Sequence, residues 1–367
     1  MKRQKVGIVG QRGMVGSVLM ERMRQEKDFL HSDPFFFSTS QVGEDAPKES
    51  CEPKLMDAMS VTQLKLMDII LTCQGSDYTK RLYSLLRQDG WKGYWIDAAS
   101  LMRMESDSHL LLDPLNRDSI ISYTHAGGRT LVGANCTVSL LLMAIGEWIK
   151  RDLVDWISSM TYQAASGAGA KAMAELIAQM ESIVKSPAII SNGSMVKSGI
   201  ELDRAVSTAV GSSLLPSDQF GAPLALNVLP WIDSAMEQGQ TREEWKGEVE
   251  ANKILGRSGS QRVAIDGCCV RVGAMRSHSQ GVTLKLKREV PVAELEDMLI
   301  NSHSWLKLIS NQKLETITHL TPAAVSGTLD IAVGRLRLMT IGSEYITLFT
   351  VGDQLLWGAA EPLRRGL

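Results

Sequence analysis

The segment Gly133-Ala-Asn-Cys136-Thr-Val-Ser-Leu-Leu-Leu places a cysteine directly before an apolar run with helical character. Asn135 is a good N-cap residue, so we expect a helix to begin at the thiol. A thiol in the first turn lies near unpaired backbone N–H groups and the positive end of the helix dipole, and both lower its pKa. The segment therefore predicts a nucleophilic thiolate at Cys136.

The other cysteines have no such context, and we expect them to be small buried apolar side chains: Cys51, Cys73, Cys268 and Cys269. Five cysteines are an odd number, and none has CxxC spacing, so the sequence predicts neither a disulfide framework nor a metal site. A reducing compartment, in which thiols stay free, is the simplest interpretation.

A second chemical feature is the glycine-rich segment Gly7-Ile-Val-Gly10-Gln-Arg-Gly13-Met-Val-Gly16, between a predicted strand and a predicted helix. Glycines at such a turn let backbone N–H groups approach a pyrophosphate, and the helix N-terminus adds a favourable field. The spacing is GxxGxxG and departs from GxGxxG, so a purely structural turn is the alternative. Its place at the start of a strand–helix alternation favours a dinucleotide site.

The end of the second predicted strand bears on the choice of dinucleotide. An NAD site usually has an acid about 20 residues after the glycines. Here the sequence is Phe37-Ser38-Thr39-Ser40-Gln41, which has no carboxylate. Hydroxyls and a neutral amide can donate to a 2′-phosphate, and Arg12 could add positive charge. The pattern favours NADP, and a Ser/Thr-rich turn without function is the alternative.

Short apolar runs separated by helical stretches must position these groups in the first part of the chain. This alternation predicts a parallel sheet covered on both faces. The predicted strands are Lys5–Gly10, Phe35–Thr39, Asp68–Thr72 and Tyr94–Ala98.

The second part of the chain has longer strands and fewer crossover helices, which predicts an α+β domain with a mixed sheet. The predicted strands are 154–164, Val263–Ala274, Gly281–Arg288 and Tyr345–Thr350. The predicted helices are Ala170–Lys185, Thr241–Ile254 and Gln354–Arg364.

Composition excludes several classes of function. The formal net charge of -2 and the spread of 39 basic residues argue against a nucleic-acid partner. No apolar run approaches the roughly 18 residues that span a bilayer, so we expect no membrane segment. The segment Met1–Lys5 is basic, but a short glycine-punctuated strand follows it, which does not look like a signal peptide. At 367 residues, two domains are expected.

Several long motifs lie in order along essentially the whole chain: Gly7–Gly16, Asn135-Cys-Thr, Gln163-Ala-Ala-Ser-Gly, Glu243-Glu-Trp-Lys246, Arg271–Gln280 and Phe349–Arg365. Together these motifs resemble aspartate-β-semialdehyde dehydrogenase, most closely its Gram-negative bacterial branch. Ala168 stands where some relatives have a third glycine.

The resemblance implies the reversible, NADPH-dependent reductive dephosphorylation of L-aspartyl 4-phosphate to aspartate semialdehyde, in the biosynthesis of lysine and diaminopimelate, threonine and methionine. It implies that Cys136 attacks the acyl phosphate to form a thioester. It also implies that His278 shuttles the proton and that Gln163 orients the acyl group.

The resemblance further implies a substrate site with one counter-charge for each charged group of the substrate. Arg271 would hold the α-carboxylate and Glu243 the ammonium. Arg103, Lys246 and Asn135 would meet the phosphate, and Asn135 could act as helix cap, anion ligand or both. The predicted cofactor site comprises Gly10, Gln11, Arg12, Gly13, Met14, Val15, Thr39, Ser40, Gln74 and Gln354.

In the expected architecture, residues 1–134 and 355–367 form a Rossmann-like NADP-binding domain. Residues 135–354 form an α+β catalytic and dimerisation domain. The family resemblance implies a cytoplasmic homodimer. The competing enzymes are N-acetyl-γ-glutamyl-phosphate reductase, whose substrate has no ammonium for Glu243, and glyceraldehyde-3-phosphate dehydrogenase, which uses an acidic NAD selector. A catalytically silent NADP-binding sensor is the competing non-enzyme.

Overall fold

A computed structural model describes residues 3–187, 189–191, 194–195 and 198–367. Within these residues the chain forms two seven-stranded sheets and one two-stranded ribbon. The first sheet uses residues 4–133 and the second uses residues 154–352. None of the described helices is long and apolar enough to cross a membrane.

The first sheet is parallel throughout, as the alternation of strands and helices predicted. Its strand order is β3-β2-β1-β4-β5-β7-β6. The central strands are short runs of buried apolar residues, as expected where helices cover both faces. The strands are β1 (Gln4–Val9), β2 (Ser32–Ser38), β3 (Met56–Asp57), β4 (Ile69–Thr72), β5 (Tyr94–Asp97), β6 (His109–Leu111) and β7 (Thr130–Gly133).

Amphipathic helices cover this sheet on its two faces. Val18, Leu19 and Met23 of the first helix pack on one side, and Leu82 and Leu86 of the third pack on the other. The first helix is therefore amphipathic, with its apolar face against the sheet. These helices are α1 (Met14–Gln25), α2 (Val61–Leu64), α3 (Ser76–Gln88) and α4 (Asp113–His125).

Helix α5 (Cys136–Lys150) lies between the two sheets and is buried along nearly its whole length. Its apolar side chains belong to the same core cluster as strands of the second sheet. The one polar group on its Trp148 ring, Nε1–H, donates to the Leu295 carbonyl at 3.2 Å. Packing on all sides therefore fixes the helix that begins at the predicted nucleophile.

The second sheet is mixed, as predicted, with parallel pairs β8–β12 and β14–β15 and antiparallel pairs elsewhere. Its order is β11-β12-β8-β13-β16-β15-β14, and β9 and β10 form the ribbon. The strands are β8 (Val154–Gln163), β9 (Ile190–Ser191), β10 (Ser194–Met195), β11 (Val228–Leu229), β12 (Ala264–Val272), β13 (His278–Leu286), β14 (Leu306–Leu308), β15 (Ile331–Met339) and β16 (Gly342–Gly352).

The helices of the second half include one with a reciprocal cap. The Thr241 side chain accepts from the Glu244 N–H, and the Glu244 side chain accepts from the Thr241 N–H, which sets the start of α8. The helices are α6 (Ala170–Val184), α7 (Gly199–Val210), α8 (Arg242–Ile254), α9 (Val292–Ile300), α10 (Lys313–His319), α11 (Pro322–Val325) and α12 (Glu361–Arg365).

Several predicted boundaries were wrong. The strands predicted from Phe35 and Tyr345 begin three residues earlier, at Ser32 and Gly342. The strand predicted from Gly281 begins at His278, because residues 278–280 pair with β16 and residues 279–280 also pair with β8. The helix predicted over Gln354–Arg364 is a turn, a π-helix at Leu356–Ala360, and then α12. The Asp353 side chain accepts the Leu355 N–H and so holds this turn. Helix α12 packs against α1 and β7 of the first domain.

The strand topology places predicted site residues of both domains at the edges of the two sheets. Strand order in the first sheet reverses beside β1, and the segments after β1, β5 and β7 emerge at one edge. Such a switch point is where open α/β sheets bind ligands. In the second sheet the ends of β8, β12 and β16 and the start of β13 share one edge, because of their directions.

The face of the second sheet opposite α5 remains open in the single chain. Met160 and Tyr162 of β8 are 42% and 40% exposed, and alternate residues of that strand are buried. The rings of Tyr162 and Phe349 lie 6.2 Å apart in a stacked arrangement. This face is therefore an exposed surface with apolar and aromatic side chains.

Candidate active site

A cleft of about 510 Å³ lies where the two sheet edges meet. It brings together all five residues predicted to bind substrate, and two of the three predicted to be catalytic. The predicted residues that line it are Met14, Val15, Arg103, Asn135, Cys136, Gln163, Glu243, Lys246, Arg271 and Gln354.

Cys136 is the first residue of α5, as predicted, and the Asn135 side chain caps the helix. Asn135 Oδ1 accepts from the N–H groups of Thr137 at 2.9 Å and Val138 at 3.2 Å. Its Nδ2 donates to Glu243 Oε1 at 3.0 Å. The cap role of Asn135 is therefore present, and its anion-binding role stays a prediction.

The predicted low pKa of the Cys136 thiol is wrong for this arrangement. Burial, followed by the negative charge of Glu243, raises that pKa to about 12. The cations Arg103, Arg271 and Lys246 act in the opposite direction but do not outweigh these effects. The Asn135 cap already satisfies first-turn N–H groups that would otherwise stabilise a thiolate.

His278 lies directly behind the cleft and is fully buried. Its Nδ1 accepts the Ala164 N–H at 3.1 Å, which favours the neutral tautomer with hydrogen on Nε2. Nε2 has no protein partner among the described residues. Burial and the nearby Arg271 charge lower the pKa of this imidazole to about 3, so the ring is neutral at physiological pH.

The carboxylate of Glu243 is the centre of a buried hydrogen-bond network. Lys246 Nζ binds its Oε2 at 3.0 Å, and Gln163 Nε2 lies 3.3 Å from its Oε1. Burial acts to raise the pKa of Glu243, but the Lys246 charge and these hydrogen bonds together lower it. Lys246 also binds Asp233 at 2.7 Å, so its ammonium is shared by two carboxylates.

Arg271 projects from β12 into the same cleft, and its Nη1 donates to the Ala164 carbonyl at 2.9 Å. A Cβ atom built on Gly167 would lie 2.8 Å from Arg271 Nη1 and 3.0 Å from His278 Cε1. The missing side chain at Gly167 therefore leaves room for the arginine and the imidazole. No structural role of this kind was predicted for Gly167.

Arg103 enters the cleft from the loop after β5. Its Nε donates to the Gly133 carbonyl at 2.8 Å, and its Nη1 lies 3.2 Å from Glu250 Oε1. The side chain is buried, so the guanidinium is held in one orientation. Glu250 was not identified from the sequence.

The glycine loop has the features that a dinucleotide needs. Gly10 has φ +82°, and a Cβ atom there would lie 2.8 Å from the Cys73 backbone. Gly13 is the N-cap of α1 and provides no capping side chain, and the first turn contains no acid. First-turn N–H groups therefore remain for an anion, with Met14 and Val15 at the cleft wall. Gln11 is buried, and Arg12 is exposed.

The residues predicted to choose the cofactor lie together at the neighbouring strand ends. Gln74 Nε2 donates to Thr39 Oγ1 at 3.3 Å, which joins the segments after β4 and β2. Ser38 Oγ accepts the N–H groups of Ser40 and Gln41 and so shapes this turn. Thr39 and Ser40 are exposed.

Gln354 has internal partners in addition to its place in the cleft. Its Oε1 accepts the Ser277 N–H at 2.8 Å, and its Nε2 donates to Ser166 Oγ. Ser277 has φ +73° and directly precedes His278. Gln354 therefore stabilises the backbone that carries the imidazole, and its predicted contact with the cofactor stays a prediction.

Both parts of the chain match family models of known proteins. Residues 5–123 match the family model described as "Semialdehyde dehydrogenase, NAD binding domain", and residues 149–357 match "Semialdehyde dehydrogenase, dimerisation domain". The solved aspartate semialdehyde dehydrogenase from Francisella tularensis is 47% identical, with 99% of this chain and 98% of that chain covered and a TM-score of 0.93.

The chain belongs to the aspartate semialdehyde dehydrogenase family. Two more distant structures support the fold alone. Aspartate semialdehyde dehydrogenase II from Vibrio cholerae, complexed with ASA, is 21% identical over 100% of this chain and 97% of that chain, with a TM-score of 0.79. The enzyme from Candida albicans with NADP is 16% identical over 100% and 98%, with a TM-score of 0.66.

Against this family background, the sequence reasoning missed several cleft residues. Asp233 shares Lys246, and Gly358 of the π-helix lies against the nucleophile, since a Cβ atom there would be 2.7 Å from Cys136 Cβ. Gly358 lies in the Phe349–Arg365 motif, and a glycine within a predicted helix was the available signal. No local pattern pointed to Asp233.

The predicted burial of the other four cysteines was correct only in part. Cys269 is buried, Cys73 and Cys268 are partly buried, and Cys51 is exposed. Cys51 lies in the loop before β3, where its N–H donates to the Pro34 carbonyl. Its thiol therefore competes with Cys136 for an alkylating reagent.

The raised pKa predicts the pH dependence of Cys136 alkylation. Between about pH 6 and 9 the rate of reaction with iodoacetamide should rise about tenfold per pH unit. The rate follows the fraction of thiolate, and that fraction does not level off below a pKa of about 12. Site-resolved mass spectrometry separates this rate from that of Cys51.

Glu243→Gln should lower the thiol pKa and speed alkylation at every pH, whereas Lys246→Met should slow it. A rate plateau near neutral pH in the unmodified enzyme would contradict the raised pKa and indicate a thiolate–imidazolium pair.

Proposed function

We propose that the enzyme catalyses the reversible reductive dephosphorylation of L-aspartyl 4-phosphate to L-aspartate 4-semialdehyde, with NADPH as reductant and Cys136 as nucleophile. The observation that carries the proposal is the cleft itself. It combines one thiol with buried counter-charges for a carboxylate, an ammonium and a phosphate. Membership of the aspartate semialdehyde dehydrogenase family supports the same substrate.

In the first step, the Cys136 sulfur forms a bond to the acyl carbon as its S–H bond breaks, and the carbon–oxygen bond to phosphate also breaks. The departing phosphate takes the thiol proton. Phosphate leaves with the electron pair of the carbon–oxygen bond, and a thioester remains on Cys136. NADPH, when bound along the glycine loop and the turn at Thr39, supplies a hydride. The carbon–sulfur bond of the reduced thioester then breaks, which frees the aldehyde, and the sulfur takes a proton from solvent, which restores the thiol.

The charges of the substrate explain how a thiol with a raised pKa could become reactive. An ammonium at Glu243 would neutralise the carboxylate that disfavours the thiolate. It would also compete with Lys246 for Glu243 Oε2 and so free the lysine for phosphate. Substrate binding would thus activate the nucleophile and complete the phosphate site together.

We propose that His278 acts first as a hydrogen-bond donor through Nε2–H, directed at the oxygen that becomes negative during acyl transfer. Its contact with the Ala164 N–H supports this tautomer. The predicted proton shuttle would require Nδ1 to give up that contact and take a hydrogen. Gln163 would orient the acyl group from its position at the end of β8.

N-acetyl-γ-glutamyl-phosphate reductase activity is the alternative, and the charge of Glu243 argues against it. An acylated amine has no positive charge, so it would leave Glu243 without a substrate partner. Glu243 would then keep Lys246 as its partner, and the lysine would not be freed for phosphate. An ammonium-bearing substrate is therefore favoured.

We propose that the enzyme works as a homodimer that buries the open face of the second sheet. The exposed Met160 and Tyr162, and the stacked ring of Phe349, form the kind of surface that protein partners cover. The match to a dimerisation domain supports this assembly. We also propose a cytoplasmic location and a role in lysine and diaminopimelate, threonine and methionine biosynthesis, on the basis of family membership.

Substrate choice is tested by NADP reduction in the reverse direction. Aspartate semialdehyde with phosphate should give turnover, and N-acetylglutamate semialdehyde with phosphate should give almost none. Cys136→Ala should abolish turnover but retain NADP binding, because the glycine loop is untouched. Faster turnover of the N-acetylated substrate would refute the proposal.

Cofactor choice is tested by steady-state kinetics with NADP and NAD. NADP should be preferred by at least about tenfold in kcat/KM, or roughly 1.4 kcal/mol. Thr39→Val combined with Ser40→Ala should narrow the gap by weakening NADP, since both hydroxyls are exposed at the turn. Equal kcat/KM values for NADP and NAD in the unmodified enzyme would refute the preference for NADP.

The assembly is tested by light scattering coupled to size-exclusion chromatography. Met160→Glu should shift the mass from dimer to monomer, because it places a charge in the buried face. Leu30→Glu, at an exposed apolar residue of the first domain, is the matched control and should leave the dimer intact. A Met160→Glu dimer of unchanged stability would place the interface elsewhere.

A further inference from the structure

Four charged residues of α8 lie along one side of the helix. Glu243, Lys246, Glu250 and Lys253 follow the spacing i, i+3, i+7 and i+10 that keeps side chains on one helical face. The first two line the cleft, as described above. The other two lie farther along the same face and contact the loop that carries Arg103.

Glu250 is 1% exposed and connects two parts of the phosphate-binding region. Its Oε2 accepts the Asn135 N–H at 2.6 Å, next to Cys136, and its Oε1 lies 3.2 Å from Arg103 Nη1. One carboxylate therefore fixes both the backbone before the nucleophile and the orientation of the guanidinium. A buried charge needs such partners to be tolerated.

Lys253 holds the turn from which Arg103 projects. Its Nζ donates to the carbonyls of Arg103 at 2.6 Å and Glu105 at 2.8 Å, and to Ser108 Oγ at 3.2 Å. These contacts use all three donors of the ammonium. Lys253 therefore joins helix α8, which belongs to the second part of the chain, to a loop of the first domain.

The remaining contacts of Arg103 show which part of its guanidinium is free. Nε binds the Gly133 carbonyl, Nη1 binds Glu250, and Nη2 reaches the Ala98 carbonyl at 3.4 Å. A guanidinium has five N–H donors, so one on each terminal nitrogen remains. Those two are suited to bind a tetrahedral anion in a bidentate manner.

We propose that Glu250 and Lys253 are positioning residues for the phosphate half of the active site. They act through Arg103: Glu250 orients its side chain, and Lys253 fixes its backbone. This inference rests on the proposed function, because it concerns the phosphate of that reaction. It adds a specific role for two residues that do not themselves line the cleft.

The test is reverse-direction kinetics in which phosphate and semialdehyde are varied separately. Glu250→Gln should raise the KM for phosphate at least about tenfold, since misplacement of a binding group can cost up to about 10²-fold. The KM for semialdehyde should change less than about twofold. Lys253→Met should act in the same direction, and it provides a second variant if Glu250→Gln does not fold.

The matched control is Glu248→Gln, at a carboxylate of the same helix that pairs with Arg262 at the surface. It should leave both KM values unchanged. A double variant then separates positioning from general destabilisation. If Glu250 acts through Arg103, adding Glu250→Gln to Arg103→Ala should raise the phosphate KM no further.

Three outcomes would overturn the inference: additive effects in the double variant, an equal rise in both KM values, or no effect of either single variant. Failure of the proposed function would look different. In that case the unmodified enzyme itself would show no phosphate-dependent reduction of NADP.

Discussion

Burial of helix α5 is the constraint on which the active site depends. The helix packs against strands of the second sheet and against α8, so its N-terminus has one position relative to both domains. Cys136 is its first residue, and Asn135 caps it with a side chain that also binds Glu243. Core packing therefore fixes the position of the nucleophile, and movements of the neighbouring loops can change that position only slightly.

Around that fixed thiol, charge is balanced among a few buried groups. The ammonium of Lys246 binds the carboxylates of both Glu243 and Asp233. Glu250 pairs with Arg103 from the side away from the cleft. Such pairs contribute little net stability when desolvation is included. These pairs instead fix orientation, because Arg103 and Lys246 are each held in place at the cleft wall and still have at least one unused donor. Burial and the charge of Glu243 raise the pKa of the Cys136 thiol and so favour its protonated form.

Much of this was predictable from the sequence, because the relevant signals are local. The alternation of short apolar runs indicated the parallel sheet, and Asn135 before an apolar run indicated the start of α5. The site residues were predictable through long motifs shared with a family. Their electrostatics were not, because the pKa of Cys136 depends on burial and on Glu243, which is 107 residues away in sequence but adjacent in space.

Dependence on contacts between residues distant in sequence also explains why some residues of the site were not predicted. Glu250 and Lys253 appear in the sequence as ordinary charges on an amphipathic helix, and only their contacts with a loop some 150 residues earlier reveal a role. The π-helix at Leu356–Ala360 was predicted as ordinary helix, because its apolar residues have no pattern that distinguishes the two. The domain boundaries at residues 134 and 354 remain a prediction.

The π-helix and α12 have a consequence for how the protein is made. Leu355, Leu356 and Leu363 belong to the core cluster of the first domain, and Gly358 lies against Cys136. The first domain therefore lacks part of its core until the ribosome has translated the segment that contains them. Until then the Cys136 thiol lacks the cover that Gly358 provides. The active site is therefore completed by a segment that follows both sheets in the sequence.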